Sequence, residues 1–124
     1  MAYGFGIAIL NPNDGSVSEL IPATGISLAQ VDGLYFRDGT LIAIQNGFGA
    51  NRIVELDLAP NGDRVTGGRL LEYRSPNMES PTTGAICNGK FYFIVNSQTD
   101  HEEDGRLLES DELRPIQIAQ LRLQ

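Results

Sequence analysis

Gly39-Thr-Leu-Ile-Ala-Ile-Gln-Asn46 returns 50 positions later as Gly89-Lys-Phe-Tyr-Phe-Ile-Val-Asn96, and each copy is followed by a further stretch ending Leu-x-Leu, at Leu56 to Leu58 and at Leu121 to Leu123. A period of about 50 residues made of short apolar runs marks a repeat protein whose unit is a small β-sheet. In residues 40–45, Ile42 and Ile44 project to one side and Leu41 and Ala43 to the other, so both sides are apolar. A strand without polar alternation must be covered on both faces, and residues 91–95 read the same way. Sheets stacked face to face bury inner strands in this manner.

Working outward, residues 31–36 and 40–45 flank Arg37-Asp38-Gly39, and residues 83–87 and 90–95 flank Asn88-Gly89. Asp-Gly and Asn-Gly are the strongest short hairpin signals, because both central residues of a type I′ turn take positive φ. Two related hairpins are predicted. In 53–58, Val54, Leu56 and Leu58 share a face opposite Glu55 and Asp57, and 118–123 repeats the pattern with Gln120 and Arg122 in the polar places. That alternation suits strands nearer a rim. Residues 6–10 run into Asn-Pro-Asn-Asp-Gly15 as 53–58 run into Ala-Pro-Asn-Gly62, and 17–21 and 65–73 are expected as outer strands.

Lettering the strands of each unit A to D from axis to rim, the order reads C-D, A-B-C-D, A-B-C. The expectation is an all-β chain of about nine antiparallel strands in blade-like four-stranded sheets. Its units are 1–24 (end of a first blade), 25–75 (a complete blade) and 76–124 (a last blade). The last blade carries a polar, acidic insertion at about 97–115, within which 107–113 suit one helical turn.

The chain of 124 residues has a formal charge of −7, which disfavours nucleic-acid backbones and anionic membrane surfaces as partners. Apolar residues at 41% and charged residues at 20% place it with soluble globular chains. Cys87 is the one cysteine, so no intrachain disulfide forms, and in Gly84-Ala-Ile-Cys87 it is expected as a small buried apolar group. Residues 1–10 lack a basic start and a continuous apolar run, and no stretch has the roughly 18 apolar residues a span needs, so the location expected is cytoplasmic.

Val31-Asp-Gly-Leu34, Leu41-Ile-Ala-Ile-Gln-Asn46, Asn51-Arg-Ile53, Pro81-Thr-Thr-Gly84, Phe91-Tyr-Phe-Ile-Val-Asn-Ser-Gln98 and Leu113-Arg-Pro-Ile116 together resemble the carboxy-terminal part of bacterial six-bladed propellers. These are of the gluconolactonase-like and senescence-marker-like superfamily, and the match runs from about Gly4 onward. The resemblance implies a central channel holding a divalent ion, with lactone or ester hydrolysis as the known chemistry. Asp32 is the one position that corresponds to a family metal ligand; the other ligands belong to blades outside this chain.

Two readings of Asp32 stand side by side: a cap of the turn into its strand, accepting a backbone N–H, or a ligand contact at a channel mouth. Gln45, Asn46, Asn96, Ser97 and Gln98 end strands and, with Thr82 and Thr83, form a candidate polar rim for a small ligand; the plainer reading is that they satisfy loop backbone. Counting from Asp100, acids fall at positions 1, 3, 5 and 12 (Asp100, Glu102, Asp104, Asp111) with Gly105 at 6, a partial likeness to a calcium loop. A solvated acidic loop is the plainer reading here too. No cofactor is demanded; a divalent cation such as calcium is the one these carboxylates allow.

No nucleophile, base and orienting group are spaced for catalysis, and the lone His101 lies in the polar insertion. The function expected is a self-associating module that binds a small ligand or a protein. The alternatives are a metal-dependent lactonase or esterase assembled from symmetric copies around Asp32, and a folded fragment with no activity of its own. Unclosed stacks expose apolar faces and strand edges, so a homo-oligomer is expected, a head-to-tail trimer first and a dimer second.

Overall fold

The computed structural model describes residues 1–47, 51–98 and 112–124, together with the backbone of 102–103 and 106–107. The chain is all-β. Its twelve strands among the described residues are β1 (Ala2–Tyr3), β2 (Gly6–Leu10), β3 (Val17–Glu19), β4 (Val31–Arg37), β5 (Thr40–Gln45), β6 (Arg52–Leu58), β7 (Val65–Tyr73), β8 (Gly84–Cys87), β9 (Lys90–Ile94), β10 (Glu102–Glu103), β11 (Arg106–Leu107) and β12 (Ile118–Arg122).

Both predicted hairpins close on two-residue turns. Arg37 pairs with Thr40 across Asp38 (φ 47°) and Gly39 (φ 81°), and Cys87 pairs with Lys90 across Asn88 (φ 48°) and Gly89 (φ 70°). Consecutive positive φ values give the type I′ twist that matches the flanking strands. From these turns grow a central sheet in the order β4-β5-β6-β7 and a last sheet in the order β12-β9-β8. A first sheet runs β1-β2-β3, and β10 and β11 pair in a small ribbon; all pairs are antiparallel.

The central sheet is covered on both sides, as its sequence requires. Ile42, Ile44 and Ile53 pack with Phe91 and Phe93 of the last sheet and with Val95 and Leu123, which follow its strands β9 and β12. On the other face Ala43 and Leu56 pack with Ile7, Leu20 and Leu28, beneath the first sheet. Phe91 sits at the centre of the first cluster, its ring 5.1 Å from that of Tyr35 and 5.8 Å from that of Phe93.

Several expectations are corrected. One sheet has four strands, the unit read as complete, but three short strands (β1, β10, β11) exceed the nine foreseen. Runs of two residues carry no period, so composition cannot announce them. Residues 91–95 are fully covered on one face alone: Phe91, Phe93 and Val95 are buried, while Tyr92 and Ile94 are half-buried on the outer side. Cys87 is exposed, because it shares that outer side at the end of an edge strand. Glu55 is buried rather than solvated, since its face of β6 lies toward the last sheet, where Arg69 Nε donates to it at 2.7 Å. Glu112 and Leu113 are not helical, and most of the helical turn suggested at 107–113 lies outside the described residues. Among the described residues no helix is long and apolar enough to cross a membrane.

Candidate functional site

Where β4 begins, the pairing with β5 slips: Val31 faces Gln45 and Gly33 faces Ile44, which leaves Asp32 between them without a partner. A bulge of this kind turns the extra side chain out of the ladder. The exposed Asp32 carboxylate therefore meets the end of β5, where Asn46 Nδ2 donates to Asp32 Oδ2 at 2.9 Å and to the Pro81 carbonyl at 3.0 Å. Among the described residues the carboxylate accepts from this amide and from no backbone N–H, so it does not cap the turn as one reading expected.

Gly33 brings the last sheet against this point. A Cβ at Gly33 would lie 2.7 Å from the Thr82 carbonyl oxygen, closer than side chains pack, so only glycine lets the two backbones approach this far. Beside it the Tyr35 hydroxyl accepts from Gly84 N–H at 2.6 Å and lies 3.2 Å from Thr83 Oγ1. Asp32, Asn46, Thr82 and Thr83 thus gather at the junction of β4 and β8, with Tyr35 as a member that sequence reading missed. A tyrosine inside an apolar strand gives no sign of where its hydroxyl points.

The other strand-end amides serve the backbone. Gln45, 3% exposed, donates to the carbonyls of Ser27 (3.0 Å) and Ala29 (2.6 Å) and accepts from Arg52 Nε (2.7 Å). Asn96 donates to the Pro115 carbonyl and accepts from Gln117 N–H, and Gln98 holds both the N–H and the carbonyl of Arg114. These two amides anchor the returning segment that delivers β12 to β9.

Asn96→Ala strips that anchor by removing its hydrogen bonds to the Pro115 carbonyl and the Gln117 N–H, at about 1–2 kcal/mol. The expected result is a lower urea midpoint with unchanged chain mass. An unchanged midpoint would show that the return segment is held elsewhere.

Of the acidic set, Asp100, Asp104 and Asp111 lie outside the described residues, and Glu102 is described as backbone in β10. Among the described residues no three His, Cys, Asp or Glu side chains converge closely enough to hold a metal ion. What the β4–β8 junction offers is a carboxylate, an amide, hydroxyls and a carbonyl within one polar corner. Such a set recognises a polar or hydroxylated group by hydrogen bonds.

Arg52 is the second residue that sequence reading passed over. It stands in phase with Val54 and Leu56 on the apolar side of β6, and a charged residue at a core-phase position was the available signal. No protein-family model, curated protein or solved structure matches this chain.

Proposed function

We propose that this chain is a self-associating partial propeller module, akin to the gluconolactonase-like superfamily, that presents Asp32, Asn46, Thr82 and Thr83 as a polar corner for a small ligand. The observation that carries the reading is the contrast between the sheets. The inner strands of the central one, β5 and β6, hold its buried core residues, while the outer faces of the two flanking sheets keep large apolar side chains in water. Leu10 is 53% and Val17 63% exposed on the first sheet, and Ile118 is 70% exposed on the last. Tyr92, Ile94 and Ala85 continue the last patch around a shallow depression of about 240 Å³. Contiguous apolar surface of this sort marks an interface.

The two outer faces are complementary. The last sheet adds Lys90 and Arg122 to its apolar patch, and the first sheet adds Glu19, hydrogen-bonded by Tyr3. Stacking one copy's last sheet on the next copy's first is a head-to-tail contact, which forms a ring when the rotation closes. Three stacked sheets per chain favour a pair of copies, six sheets in all, over the trimer expected first.

Light scattering at micromolar concentration is expected to give twice the 13.5 kDa chain mass. Ile118→Lys is expected to weaken association at least about tenfold, because it sets a third cation in the patch while leaving the buried side of β12 intact. A strictly monomeric mass would overturn self-association, and growth into filaments would overturn closure. The bulge at Asp32 favours a metal-dependent lactonase or esterase built from the same copies as the alternative. Turnover of a lactone and ester panel that is lost in Asp32→Ala decides for it.

A further inference from the structure

Between the central sheet and residues 25–27, a groove of about 220 Å³ opens along β6 and β7. Its walls are Ile26, Val54, Leu56 and Leu70, and its floor is widened by Gly68, which faces Leu56 across the ladder. A Cβ at Gly68 would lie 3.3 Å from Leu56 Cδ2 and 3.5 Å from Ile26 Cδ1, so the missing side chain is part of what makes the hollow. Leu70, which faces Val54 across the ladder, lines the groove and is 55% exposed.

At one end lies Arg52. Its Nε is tied to Gln45 Oε1, and Gln45 is itself fixed by two backbone carbonyls, so the guanidinium is held by a buried amide rather than by a carboxylate. Among the described residues its two Nη groups have no hydrogen bond or ion pair. Arg69 also borders the groove, but its Nε donates to Glu55 on the other face of the sheet; that hydrogen bond holds its pKa above the usual value. Among the described residues no carboxylate borders the groove, although the chain as a whole carries a charge of −7. An acidic protein that keeps a positioned, unneutralised arginine at the end of an apolar hollow has local complementarity to an anion with an apolar tail.

We propose that this groove binds a small aliphatic carboxylate, its head group paired to the two Nη groups of Arg52 and its chain lying over Val54, Leu56 and Gly68 against Ile26 and Leu70. The fork of a guanidinium matches a carboxylate with two parallel hydrogen bonds, which neither an alcohol nor an amine reproduces. The size suits a short chain: a dry apolar cavity of about 150 Å³ accepts benzene, and drug-sized ligands need about 300 Å³ or more. A chain of about six carbons with its head group is the match. Because the groove lies within one copy, the site does not depend on self-association or on the Asp32 corner.

The test is calorimetric titration of the full chain with sodium hexanoate, hexan-1-ol and hexylammonium chloride, followed by amide chemical-shift mapping. Hexanoate is expected to bind at least about tenfold more tightly than either analogue, since losing a charge-assisted pair costs that much or more. Shifts are expected at Ile26, Leu56 and Gly68. Arg52→Gln is expected to weaken hexanoate at least about tenfold while leaving hexanol binding unchanged. Leu70→Glu, at an exposed position, sets an acid at the mouth and is expected to abolish hexanoate binding with the melting temperature preserved. Equal binding of acid and alcohol, full hexanoate affinity in either variant, shifts confined to the Tyr92–Ile118 face, or no heat at millimolar hexanoate would each overturn the proposal.

Discussion

Phe91→Ala is expected to cost about 3–5 kcal/mol, the range for removing a large aromatic side chain from a packed interior. Phe91 has no exposed surface and lies where the central and last sheets meet, in contact with the rings of Tyr35 and Phe93. Its ring also fills the space that Gly84 leaves: a Cβ at Gly84 would lie 2.7 Å from Phe91 Cζ. Gly84 brings no side chain to fill the void, and Ile86, opposite Phe91 on β8, already packs against the same core. Total stabilities of domains this size run about 5–15 kcal/mol, so the variant is expected to lose a large share of its urea resistance or to be partly unfolded in buffer. Phe91→Leu, which keeps much of the volume, is expected to cost less than half as much. A midpoint for Phe91→Ala equal to that of the unsubstituted chain would mean that the two sheets do not share this core.

Gln45→Ala is expected to lower stability by about 2–3 kcal/mol, read as a drop on the order of 10 °C in the melting temperature. Three hydrogen bonds vanish together, and each leaves a partner behind: the Ser27 carbonyl, the Ala29 carbonyl and the Arg52 guanidinium. The two carbonyls belong to the segment that leads from the first sheet into β4, so the substitution loosens the joint between those sheets and not only one side chain. Gln45→Leu, which restores volume but no donor, is expected to recover little of the loss. Recovery close to the original melting temperature would show that packing, not hydrogen bonding, is what Gln45 supplies.

These two residues mark how far the sequence could be read. Phe91 was legible as core, because an apolar run after Asn-Gly, repeated from an earlier copy, requires cover. Gln45 was legible as a strand end, but its role was not: nothing in residues 40–46 says that its amide reaches back to Ser27 and Ala29. Of the candidate rim, Asp32, Asn46, Thr82 and Thr83 come together, while Asn96 and Gln98 are engaged by residues 114–117. An amide at a strand end looks the same in both cases. Which one it becomes depends on whether an unpaired backbone group lies within about 3 Å, and that is a property of chain packing.

By itself the sequence determined the all-β class, the two Asp-Gly and Asn-Gly hairpins, the doubly covered strand at 40–45 and the join of 118–122 to the second hairpin. Each follows from local chemistry: positive-φ turn residues, side chains alternating with a period of two, and apolar surface that must leave water. Tertiary structure alone decided the bulge that turns Asp32 outward, the approach of Thr82 to Gly33, the burial of Glu55 and its pairing to the exposed Arg69, the exposure of Cys87 and the hollow beside Arg52. Those depend on which backbone passes near which, through contacts between residues far apart in the chain that no local pattern encodes.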